Sequence, residues 1–209
     1  MNVEDALKTR RSIKWFDPTF TLSDEDLAAL IGPALYAPTS FNLQHWRFIA
    51  VRCQATQDAL CEASWGQRQV ADCSVDIVIV AKKPAHEDAS LVWTGAPKPV
   101  ADNMVNLIEG FYGDDETRQR DEAIRSGGLA AMALMLRATE MGLDTCPMIG
   151  FDPAKFRTIL QVPDEFIIVL LLCVGKGTTP AYPRVGRFDL SEVVRLDGHD
   201  GPPLKQSDS

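Results

Sequence analysis

The sequence predicts an α+β fold on three observations. Two apolar runs of strand length, VDIVIVA at 75–81 and FIIVLLLCV at 166–174, are too continuous for a half-exposed strand and read as sheet core. Between them, Val100, Met104, Leu107, Ile108 and Phe111 fall at helical spacing. The resulting order is helix, helix, strand, helix, strand, helices, strand and tail, without the strict alternation of a doubly wound fold.

Each element has a local cause. Val3, Ala6 and Leu7 give a first short helix that runs into basic residues, and Ser23 with Asp26 forms a capping-box start for a second. Leu27, Leu30 and Ile31 supply its buried face, and Gly32-Pro33 bends or restarts it before Leu35. Residues 46–51 read as a strand and 57–63 as a helix. Residues 82–99 are rich in Pro, His, Glu and Asp without a period, a surface excursion of the kind that covers a site. The charged stretch GDDETRQRDE reads as the turn that ends the helix around Ile108.

The segment 126–142, SGGLAAMALMLRATEMG, is apolar almost all round. It reads as a central helix, with Gly127-Gly128 allowing close approach of another backbone and Gly142 ending it. CPMIGFDP then makes a tight connection to a helix over 153–160. One domain over 1–197 is expected, with a loosely held tail at 198–209.

The bulk numbers exclude several functions. With 21 Lys plus Arg against 29 Asp plus Glu, the net charge of -8 argues against nucleic acid or an anionic membrane as a partner. No window approaches the length of a membrane span, and MNVEDALK lacks the form of a signal peptide, so a cytoplasmic location is expected. Five cysteines without a C-x-x-C pair, and three dispersed histidines, give neither a disulfide framework nor ligand spacing; no metal is expected. The glycine-rich fingerprints of nucleotide-binding loops are absent, and VGKGTT has the wrong spacing for one.

Against this acidic background, RRSIKWF places Arg10, Arg11 and Lys14 within five residues. Packed together they repel unless an anion joins them, and a phosphate would convert that repulsion into charge-assisted hydrogen bonds. They would equally serve as cations at the C-terminal end of the first helix. In the loop APTSFNLQH, Pro38, Thr39, Ser40 and Asn42 are turn formers that also gather hydrogen-bonding groups at one junction.

Four segments taken in order, RRSIKWF, APTSFNLQHWRF, GLDTCPMIGFDP and VGRFDLSEVV, resemble the nitroreductase family of FMN-dependent oxidoreductases, with the likeness running over 3–195. The resemblance implies an intertwined homodimer with a central, mostly antiparallel sheet flanked by helices, and FMN at the subunit interface. It assigns Arg10 and Ser12 to the phosphate and ribityl region and Lys14 to the pyrimidine edge of the ring. Arg11 lies in the same motif.

Pro38, Thr39, Ser40 and Asn42, with Gln44 nearby, would come from the partner subunit. Gln69 would face the ring or ribityl chain. The segment Pro147, Met148, Ile149 and Gly150 would bring a backbone N–H, that of Ile149, to flavin N5. Arg187 would complete the phosphate clamp, with Arg184 as a second cation and Val185 where some relatives carry lysine.

By the same resemblance, NADH or NADPH reduces the flavin, which then reduces a nitroaromatic, quinone or similar small acceptor by a ping-pong mechanism. The cofactor carries the chemistry, so no catalytic side chain is assigned. Trp93, Phe111 and Tyr112 are candidates to line the substrate space. His45, where many relatives have proline, reads as a solvated or hydrogen-bonded loop residue and not as a base. Two rival readings are a flavin carrier without turnover and a phosphate-ester hydrolase; for the latter the sequence offers no nucleophile or metal pair.

Overall fold

The computed structural model describes residues 1–205. Its chain runs α1 (Val3–Thr9), α2 (Asp24–Ile31), β1 (Trp46–Val51), α3 (Gln54–Ala63), α4 (Gln69–Asp72), β2 (Val75–Lys82), α5 (Ala89–Val92), α6 (Lys98–Tyr112), α7 (Glu116–Glu140), β3 (Asp144–Met148), α8 (Pro153–Leu160), β4 (Phe166–Gly175) and α9 (Leu190–Val193). The strands form one sheet in the order β1-β2-β4-β3, antiparallel throughout.

The two apolar runs are the inner strands β2 and β4. Along β2, Val75, Ile77 and Ile79 pack with Leu134 of α7 and Leu30 of α2, while Val78 and Val80 face Leu60 of α3 and Phe156 of α8. The two-residue alternation of a strand thus places one core on each side of the sheet.

Local signals explain the helix ends. Ser23 and Asp26 form the reciprocal capping box that starts α2. Asp152 caps α8, accepting from the backbone N–H groups of Ala154 and Lys155.

Three expectations are corrected. GDDETRQRDE is not a turn: only its first residues connect the helices, because the Asp115 side chain caps the Arg118 N–H at 2.8 Å and opens α7 at Glu116. CPMIGFDP is not wholly a connection, since Cys146–Met148 belongs to β3. That strand sits at the sheet edge, where Pro147 is tolerated. The excursion at 82–99 is partly helical, containing a 3-10 turn (Ala85–Asp88), α5 and the start of α6.

The central helix α7 is asymmetric. A Cβ on Gly127 would lie 2.7 Å from a methyl of Val169 on β4, so glycine sets how closely the helix approaches the sheet, whereas Gly128 faces open space. Leu129, on that outer side, is 44% exposed. Beyond α9 the chain doubles back, with the Leu204 N–H bonded to the Val194 carbonyl. The expected tail at 198–209 is therefore described only as far as Lys205, its last four residues lying outside the described ones.

Four of the five cysteines are buried and all five are free. Cys73, Asp76 and Cys173 meet in the core, brought together from β2, β4 and the turn before β2. Their donors and acceptors match: Cys73 Sγ and Gln57 Nε2 both donate to the Asp76 carboxyl, at 3.3 and 3.4 Å. Burial pushes the Asp76 carboxyl up to about 7, against the opposing effect of these hydrogen bonds.

Two predictions follow from this packing. Gly127→Ala is expected to lower unfolding stability in urea by about 1–3 kcal/mol, and adding Val169→Ala should restore part of it; a neutral Gly127→Ala would contradict the close approach. Because native Asp76 holds its proton to higher pH than the unfolded chain does, its contribution to stability is full below about pH 4. It is lost as pH rises toward about 7. Asp76→Asn, which cannot ionise, should gain stability relative to wild type across that interval and hold a constant advantage above it; a pH-independent difference would contradict the assignment.

Candidate functional site

The cationic segment leaves the end of α1 and is strapped along the sheet edge. Ser12 bridges to Thr145 of β3, the Ile13 N–H bonds the Thr145 carbonyl at 2.9 Å, and the Asp17 N–H bonds the Lys176 carbonyl at 2.8 Å. These contacts fix Arg10, Arg11, Ser12 and Lys14 along one wall of a cleft of about 360 Å³. The opposite wall comes from the extended segment 181–187, including Tyr182, Val185, Arg184 and Arg187.

The cations have different partners. Arg184 Nη2 donates to the Lys8 and Arg10 carbonyls at 2.6 and 2.9 Å, capping the last turn of α1, and Arg11 donates to the Tyr182 carbonyl. These two arginines tie the C-terminal segment to the N-terminal one, helped by an edge-on contact of Trp15 with Tyr182. The helix end is thus capped by a residue remote in sequence.

Among the described residues, none of Arg10, Arg11, Lys14, Arg184 and Arg187 forms a salt bridge. The Arg10 Nε is buried with no hydrogen-bond partner. Desolvation, and after it the charges of Arg11, Arg187 and Arg10, lower the Arg184 pKa below its ordinary value.

From this cleft the site continues along β3. Lys14 Nζ lies 3.5 Å from Cys146 Sγ. Pro147 and Met148 follow in β3, and the chain then emerges at Ile149, which is 81% exposed and whose N–H has no acceptor among the described residues. The Gly150 carbonyl accepts from Gln67 Nε2 at 2.9 Å, and buried Gln69 donates to Gln67 Oε1 and approaches Met148 Sδ. Residues 10–14, 146–150 and Gln69 are therefore linked by contact, although they come from three parts of the sequence.

Sequence reasoning missed Trp65 and Gln67, which flank Gly150. Trp65 is 71% exposed with φ of 57°, a left-handed conformation uncommon for a bulky residue. No pattern marks it; only the preceding helix end and Gly66 hint at a turn there.

The loop at 38–44 forms a second group, built on α6 and α7. Phe41, Asn42 and Gln44 all have positive φ, at 52°, 57° and 49°, with no glycine among them. Hydrogen bonds hold the loop: Gln44 N–H to Thr39 Oγ1 at 2.9 Å, Tyr112 O–H to Ser40 Oγ at 2.7 Å, and Trp93 Nε1 to the Phe41 carbonyl at 3.2 Å. Phe111 and Tyr112 pack edge-on against Phe41, so Trp93, Phe111 and Tyr112 support this loop directly. Pro38 opens it.

His45 is not solvated but 2% exposed, beside Ser126 of α7. Burial pushes its imidazole down to about 4, although Glu122 pulls the other way. Within the described chain this second group makes no hydrogen bond or ion pair to the cationic cleft.

Comparison with known proteins matches the chain to the family model described as "Nitroreductase family" over residues 7–176. The chain is 41% identical over 202 residues to DrgA of a Synechocystis species, covering 94% of this chain and 96% of that protein. It is 36% identical over 193 residues to MhqN of Bacillus subtilis, which bears the name NAD(P)H nitroreductase, covering 88% and 94% respectively. A solved structure from Exiguobacterium sibiricum, of a protein under the nitroreductase name in complex with FMN, superposes with a TM-score of 0.86 at 27% identity, covering 93% of this chain and 96% of that one. With an antiparallel sheet between two helical layers and this match over most of its length, the chain belongs to the nitroreductase family and is an oxidoreductase of the nitroreductase type.

Proposed function

We propose that this protein is an FMN-dependent NAD(P)H oxidoreductase that passes electrons to small electron-poor acceptors such as nitroaromatics or quinones, acting as a cytoplasmic homodimer. One observation carries the cofactor assignment. Five cations line a single cleft and, among the described residues, have no carboxylate partner, and the buried Nε of Arg10 has no acceptor there. That donor set fits a phosphate group, which supplies both the missing charge and the missing acceptor. The free N–H at Ile149 fits a ring nitrogen equally well. The names of MhqN and of the FMN-bound structure point the same way for those proteins.

In this reading Arg10, Ser12 and Arg187 hold the phosphate and ribityl end, while Arg11 and Arg184 keep the C-terminal segment in place with the donors already described. Lys14 sets a positive charge beside the site, where it favours an anionic reduced ring. Ile149 offers its N–H, and Gln69 lies behind it. When bound, FMN accepts a hydride equivalent from a reduced nicotinamide and delivers the electrons to the acceptor.

The chain's own part is to bind, orient and exclude water, so no acid–base side chain is assigned. Reductant and acceptor would enter the same opening in turn, bounded on this chain by exposed Ile149 and Trp65.

The dimer completes the site. Among the described residues, Pro38, Thr39, Ser40, Asn42 and Gln44 make no hydrogen bond or ion pair to the cationic cleft and are absent from its lining, so these loop residues would meet the cofactor held by a second copy. Exposed apolar residues on α6 and α7, including Leu107, Phe111 and Leu129, provide the kind of surface that an obligate partner covers. No helix among the described residues is long and apolar enough to cross a membrane.

Purified protein is expected to be yellow and to oxidise NADH or NADPH when an acceptor is present. Flavin uptake without turnover would favour a carrier, and no uptake of added FMN would refute the proposal. Arg10→Ala and Arg187→Ala should each weaken FMN binding by roughly 10- to 100-fold in a fluorescence titration, with a reduced dependence on salt. Unchanged affinity in both would contradict the phosphate assignment. Lys14→Met should make the midpoint potential of the bound flavin more negative, and an unchanged or raised potential would remove its proposed role.

A further inference from the structure

A single buried carboxylate connects both ends of the strained loop at 38–44. Glu122 of α7 is 7% exposed, and its Oε1 accepts the Ser40 N–H at 3.4 Å and the Ser126 hydroxyl at 2.9 Å. Arg125 binds its other oxygen. Since the one hydroxyl proton of Ser126 goes to Glu122, Ser126 must accept from His45 Nδ1, which lies 3.3 Å away. His45 therefore carries a proton on Nδ1, its ring is neutral near pH 7 because burial holds it down to about 4, and its own carbonyl is held by the Lys82 N–H at 2.8 Å. The contacts run from Ser40 at the loop's start, through Glu122 and Ser126, to His45 at its end.

The geometry points to Glu122 as the positioning residue of this loop: with Ser126 and His45 it holds Ser40 and Asn42 in the shape required to meet the flavin. The inference rests on the proposed function, because the loop's target is the cofactor of the second copy. Three features make the carboxylate more than ordinary packing. Phe41, Asn42 and Gln44 occupy left-handed backbone conformations that persist only when surrounding contacts over-determine them. Glu122 and Ser126 are successive turns of one helix face, so the acceptor and its relay move as a unit. A buried carboxylate is also costly unless hydrogen-bonded, and here each of its oxygens is engaged.

The charged and titratable groups that act on His45 are Glu122, Arg47 and His86, and Tyr112 donates to Ser40 from α6. His86 in turn lies 4.0 Å from Glu109 and stacks near Tyr112. Among the described residues, Glu122 is the one carboxylate bonded to the loop itself.

The test compares wild type with Glu122→Ala, Glu122→Gln, Ser126→Ala and the Glu122→Ala/Ser126→Ala double variant. Two readouts are used: FMN titration of the apoprotein, and backbone amide exchange measured by mass spectrometry on the FMN-free protein. Glu122→Ala should weaken FMN binding about tenfold or more, with protection lost at residues 38–45 and retained along the rest of α7. Ser126→Ala should have a smaller effect, and the double variant should be no worse than Glu122→Ala, because both cut the same connection. Glu122→Gln, which keeps an acceptor for Ser40, should fall between wild type and Glu122→Ala.

Wild-type affinity and loop protection in Glu122→Ala would overturn the assignment, as would losses that simply add in the double variant. Should Glu122→Ala fail to fold, Ser126→Ala decides alone, and unchanged exchange at 38–45 overturns the inference. Failure of wild type to take up FMN would instead refute the functional reading, leaving the exchange arm to judge the positioning role.

Discussion

Like charges concentrated in one place organise this molecule. Arg10, Arg11, Lys14, Arg184 and Arg187 line one cleft on a chain whose net charge is -8, and no carboxylate of the described chain joins them. Part of the cost is met internally, because Arg11 and Arg184 direct their donors at backbone carbonyls and in doing so bind the two ends of the domain to each other. The remainder, concentrated at Arg10, Lys14 and Arg187, would be offset by a bound anion. Binding and folding at this edge are thereby linked: an occupied cleft would stabilise the strap as well as hold the ligand.

The edge strand β3 converts that electrostatic arrangement into a site. Its pairing with Ser12 and Ile13 fixes the cations, its thiol at Cys146 meets Lys14, and its exit at Ile149 presents a free backbone donor. A backbone donor is insensitive to side-chain identity, so the exposed isoleucine can vary without loss of that contact. The strand's edge position also explains how a proline can sit within it. The 38–44 loop answers to different physics: strain held by hydrogen bonds from α6 and α7, with none of its residues lining the cationic cleft of the same chain.

Much of the fold was legible because single segments declare themselves. Apart from Asp76, the runs 75–81 and 166–174 are apolar at both phases of the alternation, as a doubly covered strand requires, and Ser23 with Asp26 announces a helix start through side-chain chemistry alone. What was not legible depends on partners distant in sequence. β3 is short and interrupted by proline, and its identity comes from pairing with β4. The polar start of α7 reads as a turn because it carries no apolar period, although Gln119 and Glu122 within it are buried; the cap at Asp115 opens the helix.

At the site, the cation cluster could be read from spacing. Arg184's role as a cap for α1 could not, since its acceptors lie over 170 residues away. Trp65 carries no pattern, and His45 is buried beside Ser126 of α7, a residue 81 positions away in sequence. Cys73, Asp76 and Cys173 likewise become neighbours through strand pairing alone.

In the proposed assembly the cations of one copy and the 38–44 loop of another share one flavin. The most direct measurement pairs two differently tagged chains, one carrying Arg10→Ala with Arg187→Ala and the other Ser40→Ala with Asn42→Ala, isolates the mixed dimer by tandem purification, and counts bound FMN. Both defects then fall in one site and the other site is intact. One FMN per mixed dimer is expected at a concentration where neither parent homodimer retains any. A mixed dimer as empty as its parents would show that each site is built within a single chain, and would overturn the shared-site arrangement.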